Sequence, residues 1–297
     1  MEQLFNTTPL KVGQLIEKID TGELGLPELQ RPFVWKDSKV RDLFDSMMKG
    51  YPIGYLMLWE CPELEKKKTI GIESHSYPTP KEVIIDGQQR LTCLYAVMKG
   101  KKVYDEKYKE REIIISYNPL TNTFEVGYQA TLKDKQWIYN ISNVFTTPQW
   151  VFMNQYLTTI KDYRSSKGNP LTVDEESIIG ENITALYNLT QFLLPVFNIK
   201  ASADEESVSN IFVRVNSGGV TLKQNDFILT LLSLYWPEGR KLIEDFSYQS
   251  TKPSNQATSY NLLTEVEPQD IIRVVIAYAF DRARLQYGYK LLRGADF

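Results

Sequence analysis

The stretch Lys81–Met98, KEVIIDGQQRLTCLYAVM, constrains this chain more than any other. Val83, Ile84 and Ile85 are β-branched and preceded by charge, which predicts a short buried strand. Leu91, Leu94, Tyr95 and Met98 fall at i, i+3, i+4 and i+7, one face of a helix that Gly100 can end. Asp86 and Gly87 must then form the turn, with Gln88, Gln89 and Arg90 in the first helical turn. A helix start presents backbone N–H groups and the positive end of a dipole, a site suited to phosphate. Arg90 is unfavourable there without an anion. A phosphate, with Asp86 holding Mg²⁺ against it, satisfies both residues. A second reading is equally open: Asp86 caps the helix, and Arg90 pairs with Asp86 or with a surface carboxylate.

Upstream, Leu26–Trp35 (LPELQRPFVW) reads as a stiff extended arm, because the residue before each proline is pushed out of the helical region. It carries a second Gln-Arg pair, Gln30-Arg31. A helix follows, with Val40, Leu43, Phe44 and Met47 on one face and Gly50 as its stop. Tyr51-Pro52-Ile53-Gly54 then turns the chain into a strand over Tyr55–Glu60. Further along, Val208, Ile211, Phe212 and Val215 give a helical face. Asn216-Ser217-Gly218-Gly219 ends that helix before another at Thr221–Trp236. Taken alone, the double glycine is a helix cap and a tight corner.

Four segments, LQRPFVW, DSMMKGYPIGYLMLWE, VIIDGQQRLTCLYAVM and FVRVNSGGVTLKQNDF, together resemble the DGQQR-motif family found at the N-terminus of GmrSD-type modification-dependent restriction enzymes and related phage-defence proteins. The order of arm, helix, strand and motif is similar to the ParB/sulfiredoxin superfamily. The resemblance implies an NTP-binding and hydrolysing domain with Asp86, Gln89 and Arg90 as signature residues. It further implies that Gln30 and Arg31 reach the same pocket, that backbone around Gly87 and Gln88 cradles phosphates, and that Arg214, Asn216 and Gly218 contribute from a second lobe. Relatives of this kind carry a His-Asn-His-type nuclease downstream.

Composition narrows the chemistry. His75 is the one histidine, so zinc hydrolases and His-Asn-His nucleases, which need more than one imidazole, have no site in these residues. Two cysteines, Cys61 and Cys93, without a C-x-x-C pair, make neither a disulfide framework nor a metal knuckle, and both read as small buried apolar residues. A net charge of −3 offers no global basic footprint for DNA. The lysines around Lys99–Lys102 are interleaved with acids, as on a solvated hairpin. With 42% hydrophobic residues the chain can bury a large core. No apolar run approaches the roughly 18 residues of a membrane span, and no leader pattern precedes the first helix. A cytoplasmic protein without a membrane partner is the expectation.

The expected fold class is α+β: a ParB/sulfiredoxin-like nucleotide-binding lobe over residues 1–130, then a mainly helical lobe over 131–297. Within these, Thr8-Pro9 is expected to cap the first helix, and Glu112–Ser116 with Thr123–Val126 to pair around Asn118-Pro119. Leu193–Lys200 reads as a strand, Tyr163–Thr172 as a linker or mobile loop, and Pro268–Leu285 as a helix with Ile271, Ile272, Val275 and Ala279 inward. The uncapped ending LLRGADF suggests a fragment whose partner domain has been removed. The expected function is an NTPase domain regulating a separate nuclease. The alternative is a module that senses a nucleotide or modified DNA without hydrolysis, with Arg31, Trp35 and Asn216 as readers.

Overall fold

The computed structural model describes residues 3–25, 33–60, 80–104, 109–216, 228–229, 232 and 236–281. The protein is α+β. In chain order the elements begin β1 (Phe5–Lys11), α1 (Val12–Asp20), β2 (Leu24–Gly25), α2 (Asp37–Met48), β3 (Leu56–Glu60), β4 (Glu82–Asp86) and α3 (Gln88–Lys99). The short strands β5 (Val103–Tyr104), β6 (Glu110–Arg111), β7 (Ile115–Asn118) and β8 (Thr123–Val126) follow. After them come α4 (Gln129–Lys133), α5 (Ser142–Thr146), α6 (Gln149–Ser166), α7 (Val173–Tyr187), β9 (Leu193–Ile199), α8 (Glu205–Asn216), α9 (Pro237–Ser250) and α10 (Pro268–Phe280).

Two compact units result. One comprises Asn6–Leu58 with Thr69–Asn198, the other Met1–Phe5, Trp59–Lys68 and Ile199–Phe297. The main sheet has the order β1-β9-β3-β4-β2. Its strands β3 and β4 are apolar runs because both faces are covered. Leu56, Met57, Leu58 and Trp59 of β3 are all buried, as are Val83, Ile84 and Ile85 of β4. β2 runs parallel to β4, with Leu24 opposite Glu82. Leu15 of α1, Phe44 of α2 and Leu91 and Leu94 of α3 belong to the same core as Leu56, Leu58 and Ile84.

Several expectations change in structural detail. Thr8 and Pro9 do not open the first helix; they lie in β1, and α1 starts at Val12, where Gln14 Oε1 accepts the Lys11 N–H at 3.0 Å. β1 is an outer strand, where a proline leaves no break between two partners. Helix α3 is enclosed rather than amphipathic, since Thr92, Cys93, Ala96 and Val97 are buried along with the expected stripe. α1 and α5 both pack on it. The hairpin β7–β8 forms, starting at Ile115 rather than Glu112.

The segment expected as a linker is a tight corner between α6 and α7. Arg164, buried, donates from Nε to the Asn169 carbonyl at 2.8 Å and from Nη2 to Glu175 Oε1 at 3.2 Å. Glu175 closes a capping box with Thr172. Composition there suggested a linker or mobile loop, whereas Tyr163–Ser166 continue α6 and a buried arginine spans the corner.

In the other unit, Val208 and Phe212 of α8 are buried as expected, while Val215 is exposed. α10 buries Ile272 and Ile276, not Val275, and the left-handed Asp281 follows its last residue. No helix among the described residues is long and apolar enough to cross a membrane. His75, Cys61 and most of Thr221–Trp236 lie outside the described residues.

Candidate functional site

The DGQQR turn sits where β4 gives way to α3, and its shape follows from one residue. Gly87 is the N-cap of α3 at φ +85°, a conformation that costs any residue with a Cβ. There is also no room: a Cβ on Gly87 would lie 2.4 Å from Leu56 Cδ2 and 3.2 Å from the Tyr55 carbonyl oxygen. The glycine therefore lets the start of α3 lie against the start of β3.

Asp86 closes the turn. Its Oδ1 accepts the Gly87 N–H at 2.8 Å, and its negative charge acts on the nearby Tyr55 phenol. Burial first, and then the Asp86 charge, push the Tyr55 phenol up to about 12, so it remains a donor at neutral pH.

Arg90 reaches back to the same place. Its Nη1 donates to the Tyr55 carbonyl at 2.6 Å, and its guanidinium lies where a side chain on Gly54 would stand. Desolvation pulls the Arg90 pKa below its ordinary value, with nearby Asp86 opposing. The acceptor is the main-chain carbonyl of Tyr55, the residue after the Tyr-Pro-Ile-Gly turn, rather than a carboxylate.

The two glutamines face different ways. Gln88 is buried, and its Nε2 donates to the Ile84 carbonyl at 2.9 Å, back along the strand. A phosphate would meet Gln88 through its backbone. Gln89 is half-buried, and its Oε1 accepts the Val34 N–H at 3.3 Å. That bond brings the downstream end of the arm to the motif. The arm is pinned again one residue earlier, where the Phe33 N–H donates to the Tyr104 carbonyl at 2.7 Å. Beside it, Lys39 Nζ stands 4.2 Å from the centre of the Trp35 ring, within cation–π range.

Arg214 and Asn216 lie in the last turn of α8, in the other unit, and Arg214 is exposed. Gln30, Arg31 and Gly218 fall outside the described residues. Cys93, one turn along α3, is fully buried, and its Sγ donates to the Arg90 carbonyl at 3.1 Å. Burial pushes its thiol well above the ordinary range, which makes it an inert packing residue.

Reasoning from sequence missed Gly54, Tyr55 and Val34. The Pro-Gly turn before β3 was visible, but its contact with a motif some thirty positions later is a product of the β3–β4 pairing.

The profile of the GmrSD restriction endonuclease N-terminal domain matches residues 12–233. The chain belongs to that family. The match takes in the main sheet apart from β1, the DGQQR turn and α8. The uncharacterized protein MJ0686 of Methanocaldococcus jannaschii is 25% identical over 232 residues, which cover 72% of this chain and 40% of the relative. The chain thus matches less than half the length of that relative.

Proposed function

We propose that this chain is the NTP-binding and hydrolysing domain of a prokaryotic restriction or phage-defence protein, regulating DNA cleavage by a separate nuclease domain. One observation carries the reading. Asp86 accepts the Gly87 N–H and Arg90 reaches the Tyr55 carbonyl at the N-terminus of α3, so that a carboxylate and a guanidinium flank a helix start. Backbone N–H groups from Gly87 to Gln89 would cradle phosphates. Arg90 would offset charge developing on the transferred phosphoryl, and Gln89 would orient the attacking water. That water's oxygen bonds to the terminal phosphorus as the bridging P–O bond breaks, releasing nucleoside diphosphate and inorganic phosphate.

Among the described residues no group of three or more His, Cys, Asp or Glu is placed to hold a metal ion. Asp86 alone suits Mg²⁺ that arrives already bound to nucleotide, since Mg²⁺ characteristically takes one or two carboxylates plus substrate phosphates. Such an ion would draw off charge from the β- and γ-phosphates. The membership of a restriction-endonuclease family supports a nuclease partner and DNA, modified or not, as the downstream target.

A second reading has its own support. Asp86 and Arg90 already hold protein partners, as they would in a pocket that binds nucleotide or modified DNA and signals without turnover, with Trp35 stacking on a base. Phosphate release by the purified chain with Mg²⁺ and each NTP in turn separates the two. Turnover that is lost in Asp86→Ala supports hydrolysis; saturable nucleotide binding with no phosphate released supports the sensor.

A further inference from the structure

The downstream end of the arm is tied to the rest of its unit at three points. Phe33 is buried, and its N–H donates to the Tyr104 carbonyl of β5 at 2.7 Å. One residue on, the Val34 N–H donates to Gln89 Oε1 at 3.3 Å. The third tie comes from β6, where Arg111 stands opposite Val103 of β5. Its guanidinium lies 5.7 Å from the centre of the Phe33 ring, within cation–π range, and its Nη1 donates to Asp37 Oδ1 at 2.7 Å. Asp37 is the first residue of α2. Arg111 therefore bridges the two ends of the segment from Phe33 to Asp37, and Val34 lies inside the bridge.

These ties are unequal. The Arg111–Asp37 bond is short and charge-assisted. The Val34–Gln89 bond, at 3.3 Å, is longer than an N–H donor usually makes to oxygen, and the Val34 side chain is 61% exposed and anchors little. A bond of that length depends on what places its donor. The Tyr104 carbonyl fixes the backbone on one side of Val34, and the Arg111–Asp37 pair fixes it on the other. Gln89 makes a further contact besides this one, so Val34 is one constraint on its amide and not the whole of it.

We propose that Arg111 is a positioning residue for the nucleotide reaction: by tying Phe33 to Asp37 it holds the Val34 N–H against Gln89 and so sets the orientation of the Gln89 amide. The proposal rests on the hydrolytic reading of the site, in which Gln89 orients the attacking water. Arg111 does not meet the nucleotide itself; it acts through the arm.

The test is a double-mutant cycle in the full chain, using Arg111→Ala, Gln89→Ala and the pair. Amide hydrogen exchange at Val34, steady-state phosphate release, calorimetric binding of a nonhydrolysable NTP analogue and thermal unfolding are read on each. Arg111→Ala should speed exchange at Val34 and lower kcat, each by about fivefold, the scale of one partly exposed ion pair together with one cation–π contact. KM and analogue affinity should stay near those of the wild type. In the Gln89→Ala background the same substitution should lower kcat no further, because the residue it positions is gone.

Unchanged exchange at Val34, or unchanged kcat, in Arg111→Ala overturns the proposal and leaves the hydrolytic reading intact. So does a loss of kcat that is equally large in the Gln89→Ala background, which marks a general packing role. Should Arg111→Ala fail to fold, Asp37→Asn removes the charge from one end of the bridge and takes its place: faster exchange at Val34 with lower kcat supports the proposal, and wild-type values of both overturn it. A wild-type chain that releases no phosphate overturns the hydrolytic reading and this proposal with it.

Discussion

The guanidinium of Arg90 occupies the space that a side chain on Gly54 would need: a Cβ there would stand 2.7 Å from Nη2 and 3.0 Å from Cζ. Gly54 also has φ +93°, so an alanine is strained whether or not the arginine moves. Gly54→Ala should cost roughly 1–3 kcal/mol from backbone strain and should displace Arg90. Urea unfolding gives the first number, and phosphate release the second. Gly87→Ala should cost more, because its Cβ meets Leu56 Cδ2 at 2.4 Å, and a packed sheet residue yields less than the end of an arginine.

The signature residues should separate when each is removed. Asp86→Ala should lower hydrolysis by roughly 3 kcal/mol of barrier, about a hundredfold, with the fold intact. Arg90→Ala should lose hydrolysis and also stability, by about 1–3 kcal/mol, because the Tyr55 carbonyl then lacks the donor that it holds at 2.6 Å. Chemical denaturation beside a phosphate assay distinguishes them. Equal stability in the two variants would mean that the Arg90–Tyr55 contact contributes nothing to folding.

Alkali should unfold the protein through its core tyrosines. Tyr117 and Tyr156 are buried, and burial raises both phenols above the ordinary value. For a group whose folded pKa is raised, the stabilisation is complete below the unfolded pKa and is lost as pH climbs through the folded one. Stability should thus hold up to about pH 10, the unperturbed tyrosine value, and fall beyond it. Tyr156→Phe should flatten that decline while forfeiting the hydroxyl's 2.7 Å bond to the Gln136 carbonyl. Unfolding midpoints between neutral and strongly alkaline pH measure both effects.

The chain alone should not cut DNA. It carries one histidine and a net charge of −3, so it should also bind unmodified duplex weakly at physiological salt, with little counterion release to drive association. Plasmid incubated with the purified chain and Mg²⁺ or Mn²⁺, beside Asp86→Ala, tests the claim. Cleavage that disappears in the Asp86 variant would make the DGQQR pocket itself a nuclease.

Much of the site's frame was legible locally. Three β-branched residues, one Asp-Gly step and a helical stripe give β4, the turn at Gly87 and α3 within a residue of their observed limits. The environment of that turn was not legible, because it is set by pairing between distant segments. Arg90 was read as seeking an anion; the backbone carbonyl that it meets is one that only the neighbouring strand could bring. Gln88 and Gln89 look interchangeable in sequence, yet a helix rotates them by about 100°, sending one to Ile84 and the other to Val34. Pro9 suggested a helix start for sound local reasons. The outer place of β1 in the sheet, a tertiary fact, made the same proline acceptable in a strand.

The position of β9 between β1 and β3 has a consequence for biosynthesis. Leu193–Ile199 leave the ribosome only after α4 to α7 have been translated, long after the DGQQR turn has emerged. Throughout that interval β1 and β3 lack the neighbour they share, and a nascent chain presents an open β3 edge of buried-type residues. Tyr55 meanwhile has no Phe197 to stand against. The surroundings of the turn therefore mature late in translation, and a truncation ending before Leu193 would yield the motif without the Phe197 ring beside Tyr55.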